Sequence, residues 1–103
     1  MIGSDIDDFV ASLRFERGLS ENTCQAYASD LRSFHEFLAG RKIDDVSLVD
    51  RGIVVDFLQE AAAGFNRATV ARRLASLRSW LKYLHSRRRI SEDPTALMKQ
   101  ARK

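Results

Sequence analysis

The sequence predicts an all-α protein, a compact bundle of four to five helices, from three observations. Apolar residues recur at spacings of three and four over long segments, which is the period of helices with one buried face. A single proline and five glycines leave little material for the turns of a sheet. At 103 residues, the chain has the size of one domain with a single modest core.

The first helix is predicted to begin after Ser4 or Asp5 and to run to about Arg17, where Gly18 stops it. Acidic residues in its first turn suit the positive end of the helix dipole. The apolar spacing along this segment predicts one buried face, which consists of Ile6, Phe9, Val10 and Leu13.

Two further helices follow the same rules. Ser20 is a good N-cap for a second helix that runs to about Ala39 and is closed by Gly40. A third helix is expected from its cap Asp50 to about Ala63. The buried stripes predicted for them are Cys24, Tyr27, Leu31, Phe34 and Leu38 in the second helix, and Ile53, Val54, Phe57, Leu58 and Ala61 in the third.

The fourth helix is the longest, from Arg67 to about Arg87 behind the cap Asn66, and it spans about 30 Å at 1.5 Å per residue. Its regular seam of Val70 and four leucines must face the other helices. Trp80 follows this seam, and we expect it to pack in the core rather than to stack on a base. The opposite side, expected to point outward, carries Arg72, Arg73, Ser76, Ser79 and Tyr83.

The end of the chain has two features of its own. Asp93 and Pro94 predict the cap and first position of a short fifth helix that reaches about Ala101. The basic residues 99–103 look like the beginning of a linker, which suggests that the chain is one module of something longer.

Charge is distributed unevenly along the chain. Residues 1–60 carry six Lys/Arg against twelve Asp/Glu, whereas residues 61–91 carry eight basic residues and no carboxylate. A segment of one sign is typical of proteins that bind a polyanion, so the net charge of +3 conceals a candidate nucleic-acid surface. The alternative is internal pairing, in which Arg73 or Arg78 contacts Glu36, Asp56 or Glu60.

Two surfaces suit DNA. A basic helix fits the major groove, where arginine bridges guanine O6 and N7 or grips a phosphate. At the start of the second helix, small polar side chains lie off the apolar stripe, next to backbone amides that attract anions.

The residues for catalysis or metal binding are not apparent. The single cysteine, Cys24, excludes an internal disulfide, fits a reducing cytoplasm and is expected to be a small core residue. His35 and His85 lack a partner at metal-ligand spacing, and nothing near Tyr83 is built to activate it as a nucleophile. We therefore expect no cofactor, no metal and no catalysis by this chain, and the absence of a long apolar run argues against a membrane span.

Two segments carry a family resemblance. Residues 16–34 resemble the opening of tyrosine recombinases of the Xer and phage integrase type, with the pattern S-x-x-T-x-x-x-Y-x-x-D-L-x-x-F. Residues 68–84 are similar to the same family's pattern T-x-x-x-R-L-x-x-L-R-x-x-x-x-Y-L. Asp93 and Pro94 fall where that family leaves the module, so the resemblance covers residues 5–96.

The resemblance implies an orthogonal, SAM-like bundle at residues 1–96, the core-binding domain of integrases, and at residues 97–103 the start of a linker to a C-terminal catalytic domain. In that family the second and fourth helices contact the recombination half-site. The family often has serine where Ala75 stands and a small residue at Ser76. Carried over by position, the DNA contacts are Asn22, Thr23, Gln25, Ala26, Arg67, Thr69, Arg72, Arg73, Ser76, Lys82, Arg87 and Arg88, with Arg89 near the linker.

The function implied by the resemblance is binding of double-stranded DNA, in a bacterial or archaeal cytoplasm, without strand cleavage. The family's catalytic arginine, lysine, His-x-x-Arg element and tyrosine belong to the separate C-terminal domain, and none of those motifs occurs here. The full-length protein would form a tetramer on DNA, and this piece is expected to be a monomer. Two alternatives stay open: a helical protein-interaction bundle whose basic face meets an acidic partner, and a free-standing DNA-binding regulator.

Overall fold

The helices form where the caps and apolar spacings predict them. The computed structural model describes residues 1–96 and 98 and contains α1 (Ile2–Phe15), α2 (Glu21–Gly40), α3 (Arg51–Gly64) and α4 (Arg67–Ser86). A 3-10 turn, Val46–Leu48, lies between α2 and α3. Since no strand occurs in this described part of the chain, the all-α prediction is confirmed.

Three predicted N-caps are confirmed by their hydrogen bonds. The side chains of Ser20, Asp50 and Asn66 each accept from the backbone N–H three residues later, at 3.2, 2.9 and 2.9 Å respectively. Each cap satisfies one amide that the first helical turn leaves without a partner. These caps fix the starts of α2, α3 and α4 at the residues that the sequence predicts.

The start of α1 was predicted too late. The helix begins at Ile2, because Ile2 lies four residues before Ile6 on the same apolar face and is only 2% exposed. Gly18 adopts a positive φ of 66° after the helix, so its predicted role as the stop is confirmed.

Glycine does not provide the left-handed residue after α2 and α4. Lys42, with φ of 62°, and Arg88, with φ of 61°, take that conformation instead. In both turns the next residue donates its N–H back to the third-last helical carbonyl, from Ile43 to Leu38 and from Arg89 to Leu84. This is the hydrogen-bond pattern of a Schellman motif, and it closes the two longest helices in the same way.

The core is built around α2 and α4. The two helices pack against each other, α1 packs against both, and α3 packs against α4. Trp80 is fully buried and meets Phe34 edge-on at 6.2 Å between ring centroids, so its predicted packing role is confirmed. Cys24 is also buried in this core, as predicted.

The predicted fifth helix is described only at its beginning. The backbone N–H of Thr95 donates to the Asp93 carboxylate at 2.9 Å, and residues 94–96 form a turn. Except for Met98, the rest of that predicted helix lies outside the described residues.

Candidate nucleic-acid interface

The two surfaces selected from the sequence lie side by side. The first half of α2 and the first half of α4 form the walls of an open groove, which is lined by Asn22, Thr23, Ala26, Tyr27, Asp30, Arg72, Ala75 and Ser76. Five of these are predicted DNA contacts, which come together because α2 packs along α4. These five predicted contact residues therefore lie on one continuous surface rather than on two separate patches.

A buried carboxylate lies in this groove. Asp30 of α2 is 2% exposed and accepts hydrogen bonds from Arg72 Nε at 3.1 Å, Arg72 Nη2 at 2.8 Å and Ser76 Oγ at 2.7 Å. A buried charge is tolerated only when it is paired and hydrogen-bonded, and these three donors meet that need. Hydrogen bonding to Asp30 in turn raises the pKa of Arg72 above its usual value.

The groove corrects one expectation about α4. Ser76 was expected on the outward side of the helix, but it is 4% exposed and its hydroxyl donates to Asp30. The exposed neighbour on the groove surface is Ala75, at the position where the resembling family often has serine. A small residue fits at position 76 because the side chain there is enclosed between α4 and the Asp30 carboxylate.

Arg73 and Tyr83, also expected to point outward, are half-buried. The Arg73 guanidinium lies 4.4 Å from the ring centroid of Phe65, and its Nε is buried with no hydrogen-bond partner among the described residues. The Tyr83 ring packs against Phe9 at 5.2 Å between centroids. Both side chains therefore contribute to packing, and Arg73 forms no ion pair with Glu36, Asp56 or Glu60.

The start of α2 presents small polar side chains. Asn22, Thr23 and Gln25 are exposed, and Ala26 is half-buried. Ser20 donates its hydroxyl to Thr23 Oγ1 at 3.0 Å.

One acidic residue lies beside these contacts. Glu21 accepts from Arg14 at 2.9 and 3.1 Å and from Gln25 at 3.3 Å. These hydrogen bonds, chiefly the one from Arg14, lower the pKa of Glu21, and the carboxylate is paired with Arg14.

The remaining predicted contacts differ in their exposure and in whether they form ion pairs. Arg67, Lys82 and Arg88 are exposed and form no ion pair within residues 1–96 and 98, while Thr69 is half-buried and its backbone N–H is taken by the cap of α4. Arg87 lies over the Tyr83 ring at 4.8 Å and 3.6 Å from Glu16.

Two further arginines of the basic segment are engaged by other parts of the protein. Arg78 donates to the carbonyl oxygens of Thr95 at 3.0 Å and Met98 at 2.6 Å. Its partners are therefore backbone groups and not Glu36, Asp56 or Glu60. Arg89 pairs with Asp5 and, at 3.3 Å, with Asp8. These contacts raise the pKa of Arg89 and tie the segment after α4 to α1.

Sequence reasoning missed the role of the acidic partners, although a signal existed. Asp30 lies three residues after Tyr27 and four before Phe34, and Asp5 lies four before Phe9, so both occupy buried-face positions of their helices. An acidic residue at such a position needs a buried or half-buried cation as its partner.

Comparison with known proteins gives a consistent result. The model of a family described as phage integrase, N-terminal SAM-like domain, matches residues 6–88. A tyrosine recombinase XerD from Listeria monocytogenes is 40% identical over 91 residues, covering 86% of this chain and 31% of the relative. A XerD from Agrobacterium fabrum is 32% identical over 103 residues, covering 98% of this chain and 30% of the relative.

A third relative, a tyrosine recombinase XerC from Roseiflexus castenholzii, is 36% identical over 95 residues, covering 91% of this chain and 30% of the relative. The chain thus spans about a third of the length of the curated relatives it matches. No solved structure matches it. Among the described residues, no group of three His, Cys, Asp or Glu could hold a metal ion, and no helix combines the length and apolar character of a membrane span.

Proposed function

The chain belongs to the phage integrase N-terminal, SAM-like domain family, and from this premise we propose that it binds double-stranded DNA. It does so as the N-terminal domain of a site-specific tyrosine recombinase, and it contacts the recombination half-site through α2 and α4. The relatives described above are tyrosine recombinases. We propose the same activity, breakage and rejoining of DNA strands, for the full-length protein, with catalysis in a C-terminal domain and tetramer formation on DNA.

The observation that carries this proposal is the continuous open groove between α2 and α4, which carries polar side chains on both walls. It combines an exposed helix start with an arginine whose side chain is 55% exposed, and neither element is covered by another part of the described chain. The major groove of B-DNA is about 12 Å wide and admits one helix. In this arrangement α4 enters the major groove of the DNA, and α2 approaches the same stretch of duplex through its first turn.

The contacts divide into two kinds under this proposal. Arg67, Lys82 and Arg88 are exposed cations without an ion pair in the described part, and they contact phosphates along the backbone. Phosphate contacts set the position of the protein and make its affinity depend on salt. The exposed residues of the groove, together with Gln25 and Thr69, approach the base edges, whereas the buried Ser76 supports them from within by holding Asp30. Arg73, which packs on Phe65, and Arg87, which packs on Tyr83, support the surface.

The test is a fluorescence anisotropy titration of the 103-residue chain with short duplexes at two salt concentrations. We expect binding that weakens with salt, and in Arg67→Ala a lower affinity for every duplex with a salt slope reduced by about 1. Arg51→Ala is the matched control. Arg51 is exposed and lies beside Ile90 and Ser91, away from the start of α4, so this substitution removes the same charge at a different place. Circular dichroism verifies that both variants are folded.

Two results would overturn the proposal. One is absence of duplex binding by the wild type at low salt. The other is an equal loss in Arg67→Ala and Arg51→Ala, which would mean that net charge and not this surface determines binding. A protein-interaction bundle predicts a third pattern, in which an acidic polypeptide such as polyglutamate competes as well as duplex DNA at equal charge.

A further inference from the structure

Arg72 is held in one orientation, and the geometry leaves half of its guanidinium unused. Its Nε and Nη2 face the two oxygens of Asp30, at 3.1 and 2.8 Å. This side-on contact occupies one edge of the planar fork. The other edge, made of Nη1 and the second N–H of Nη2, has no partner among the described residues, and the side chain is 55% exposed.

The support under Arg72 is stronger than that under a surface arginine. Arg14 makes the same side-on contact with Glu21, at 2.9 and 3.1 Å, but there the carboxylate side chain is 57% exposed and both partners can move. The Asp30 side chain is 2% exposed and is also fixed by Ser76. Arg72 is therefore ordered before any ligand arrives, and the entropy cost of ordering a long side chain on binding is reduced.

The free edge has the spacing that a guanine requires. Two parallel N–H groups of arginine match the O6 and N7 acceptors that guanine presents in the major groove. The pairing with Asp30 also cancels most of the local charge, so Arg72 adds less to nonspecific attraction for phosphates than an unpaired arginine does. Its contribution is geometric, which suits base recognition better than backbone contact.

We propose that Arg72 is a specificity-determining residue that recognises a guanine, and that Asp30, supported by Ser76, is its positioning residue. This inference rests on the proposed function, since it requires that α4 lie in the major groove. The competing explanation is that Asp30 and Arg72 only join α2 to α4. In that case substitutions would change stability and leave base preference unaltered.

The probe is a library of duplexes with a randomised central segment, bound by the 103-residue chain and sequenced after selection. The wild type should enrich guanine at a defined position. Arg72→Lys keeps the charge and can still pair with Asp30, so it should fold and keep the phosphate contacts made by the other residues, while any change in affinity falls on duplexes that contain the preferred base. It cannot form the bidentate contact, and we expect its preference for guanine at that position to fall on the order of tenfold.

Asp30→Asn tests the positioning role. The amide can accept at only one atom, so Arg72 loses its fixed orientation, while the net charge of the protein rises by one. We expect affinity for random duplexes to stay equal or increase, and the guanine preference to decrease, a combination that simple loss of structure would not produce. Ser76→Ala should give a smaller decrease in the same preference.

The matched control is Asp56→Asn. It makes the same charge change and removes a carboxylate of α3 that accepts from Arg41 at 2.8 Å. Arg41 directly follows the end of α2, so this pair lies away from the groove. It should leave the base preference unchanged. Thermal melting of all variants shows that each is folded at the temperature of selection.

The outcomes separate the two proposals. If the wild type binds duplexes without preferring guanine, or if Arg72→Lys and Asp30→Asn keep the preference, the inference is wrong and DNA binding stands. If the wild type binds no duplex at low salt, the proposed function is wrong and the inference fails with it.

Discussion

The start and the end of α4 use their arginines differently. At the start, Arg67 is exposed without an ion pair in the described part, and Arg72 keeps a free edge above Asp30. Beyond the middle, Arg78 is engaged by two backbone carbonyls and Arg89 by the acids of α1. The comparison teaches that a count of basic residues overstates the charge available to a ligand, because part of it is neutralised within the fold.

The acidic first part of the chain explains this difference. Asp5, Asp8 and Glu16 belong to α1 or follow it directly, and they face the arginines that follow α4. The uneven charge distribution along the sequence is therefore in part a pairing device between its two ends. Within the described residues, the exposed cations of this segment without an ion pair are Arg67 at the start of α4 and, farther along, Lys82 and Arg88.

The largest effect is expected from removing the cation over the buried carboxylate. Arg72→Leu leaves Asp30 enclosed without a charged partner, and we expect a loss of about 3 kcal/mol in the free energy of unfolding, at the lower end for buried pairs because Arg72 is half-exposed. The thermal midpoint should fall by roughly 15 °C. Arg67→Leu is the control, with an expected change of less than about 0.5 kcal/mol.

Denaturant unfolding and thermal melting measure both variants. Equal stabilities of Arg72→Leu and Arg67→Leu would contradict the description of Asp30 as a carboxylate that depends on Arg72.

An intermediate effect is expected in the segment that follows α4. Arg89→Ala removes the partner of Asp5. The Asp5 side chain is 8% exposed, against 2% for Asp30, so the thermal midpoint should fall by less than in Arg72→Leu. Amide hydrogen exchange should increase in α1 and in residues 88–96, since this pair joins them. DNA affinity should remain close to that of the wild type because Arg89 is already neutralised. A loss of affinity as large as that of Arg67→Ala would show that the two ends of α4 do not differ in the way proposed.

The smallest effect concerns the left-handed residue after α4. Arg88→Gly relieves a positive φ that costs a side-chain-bearing residue about 1 kcal/mol, so the protein should become more stable by up to that amount. The same substitution removes a proposed phosphate contact, and the salt slope of DNA binding should decrease by about 1. Lys42→Gly, at the equivalent position after α2, should stabilise equally without changing DNA binding. Parallel melting and anisotropy titrations decide the matter, and an unchanged salt slope in Arg88→Gly would remove Arg88 from the interface.

The sequence predicted the helices well because their signals are local. Ser20, Asp50 and Asn66 cap within three residues, and apolar spacing identified the buried faces. The start of α1 was misplaced because Met1 offers no side-chain cap to mark it.

The groove was predictable only in part. Its two walls were identified from polarity, charge and family resemblance, but the pairing of Asp30 with Arg72 joins residues 42 positions apart. Such pairings depend on how helices pack, which a pattern along the chain does not encode. The outward position expected for Ser76 was wrong for the same reason.

The buried carboxylate also constrains how the protein can diverge. Replacing Arg72 alone leaves the buried Asp30 carboxylate without a charged partner, which destabilises the fold. A change of side chain at position 72 therefore requires a simultaneous change at position 30 on α2. Exposed polar residues such as Asn22 and Gln25 hold no buried charge in place, so they can be substituted one at a time. Under the proposed function, preference at the base assigned to Arg72 should change rarely and in coordinated steps within a lineage, while preference at the bases assigned to α2 should change gradually.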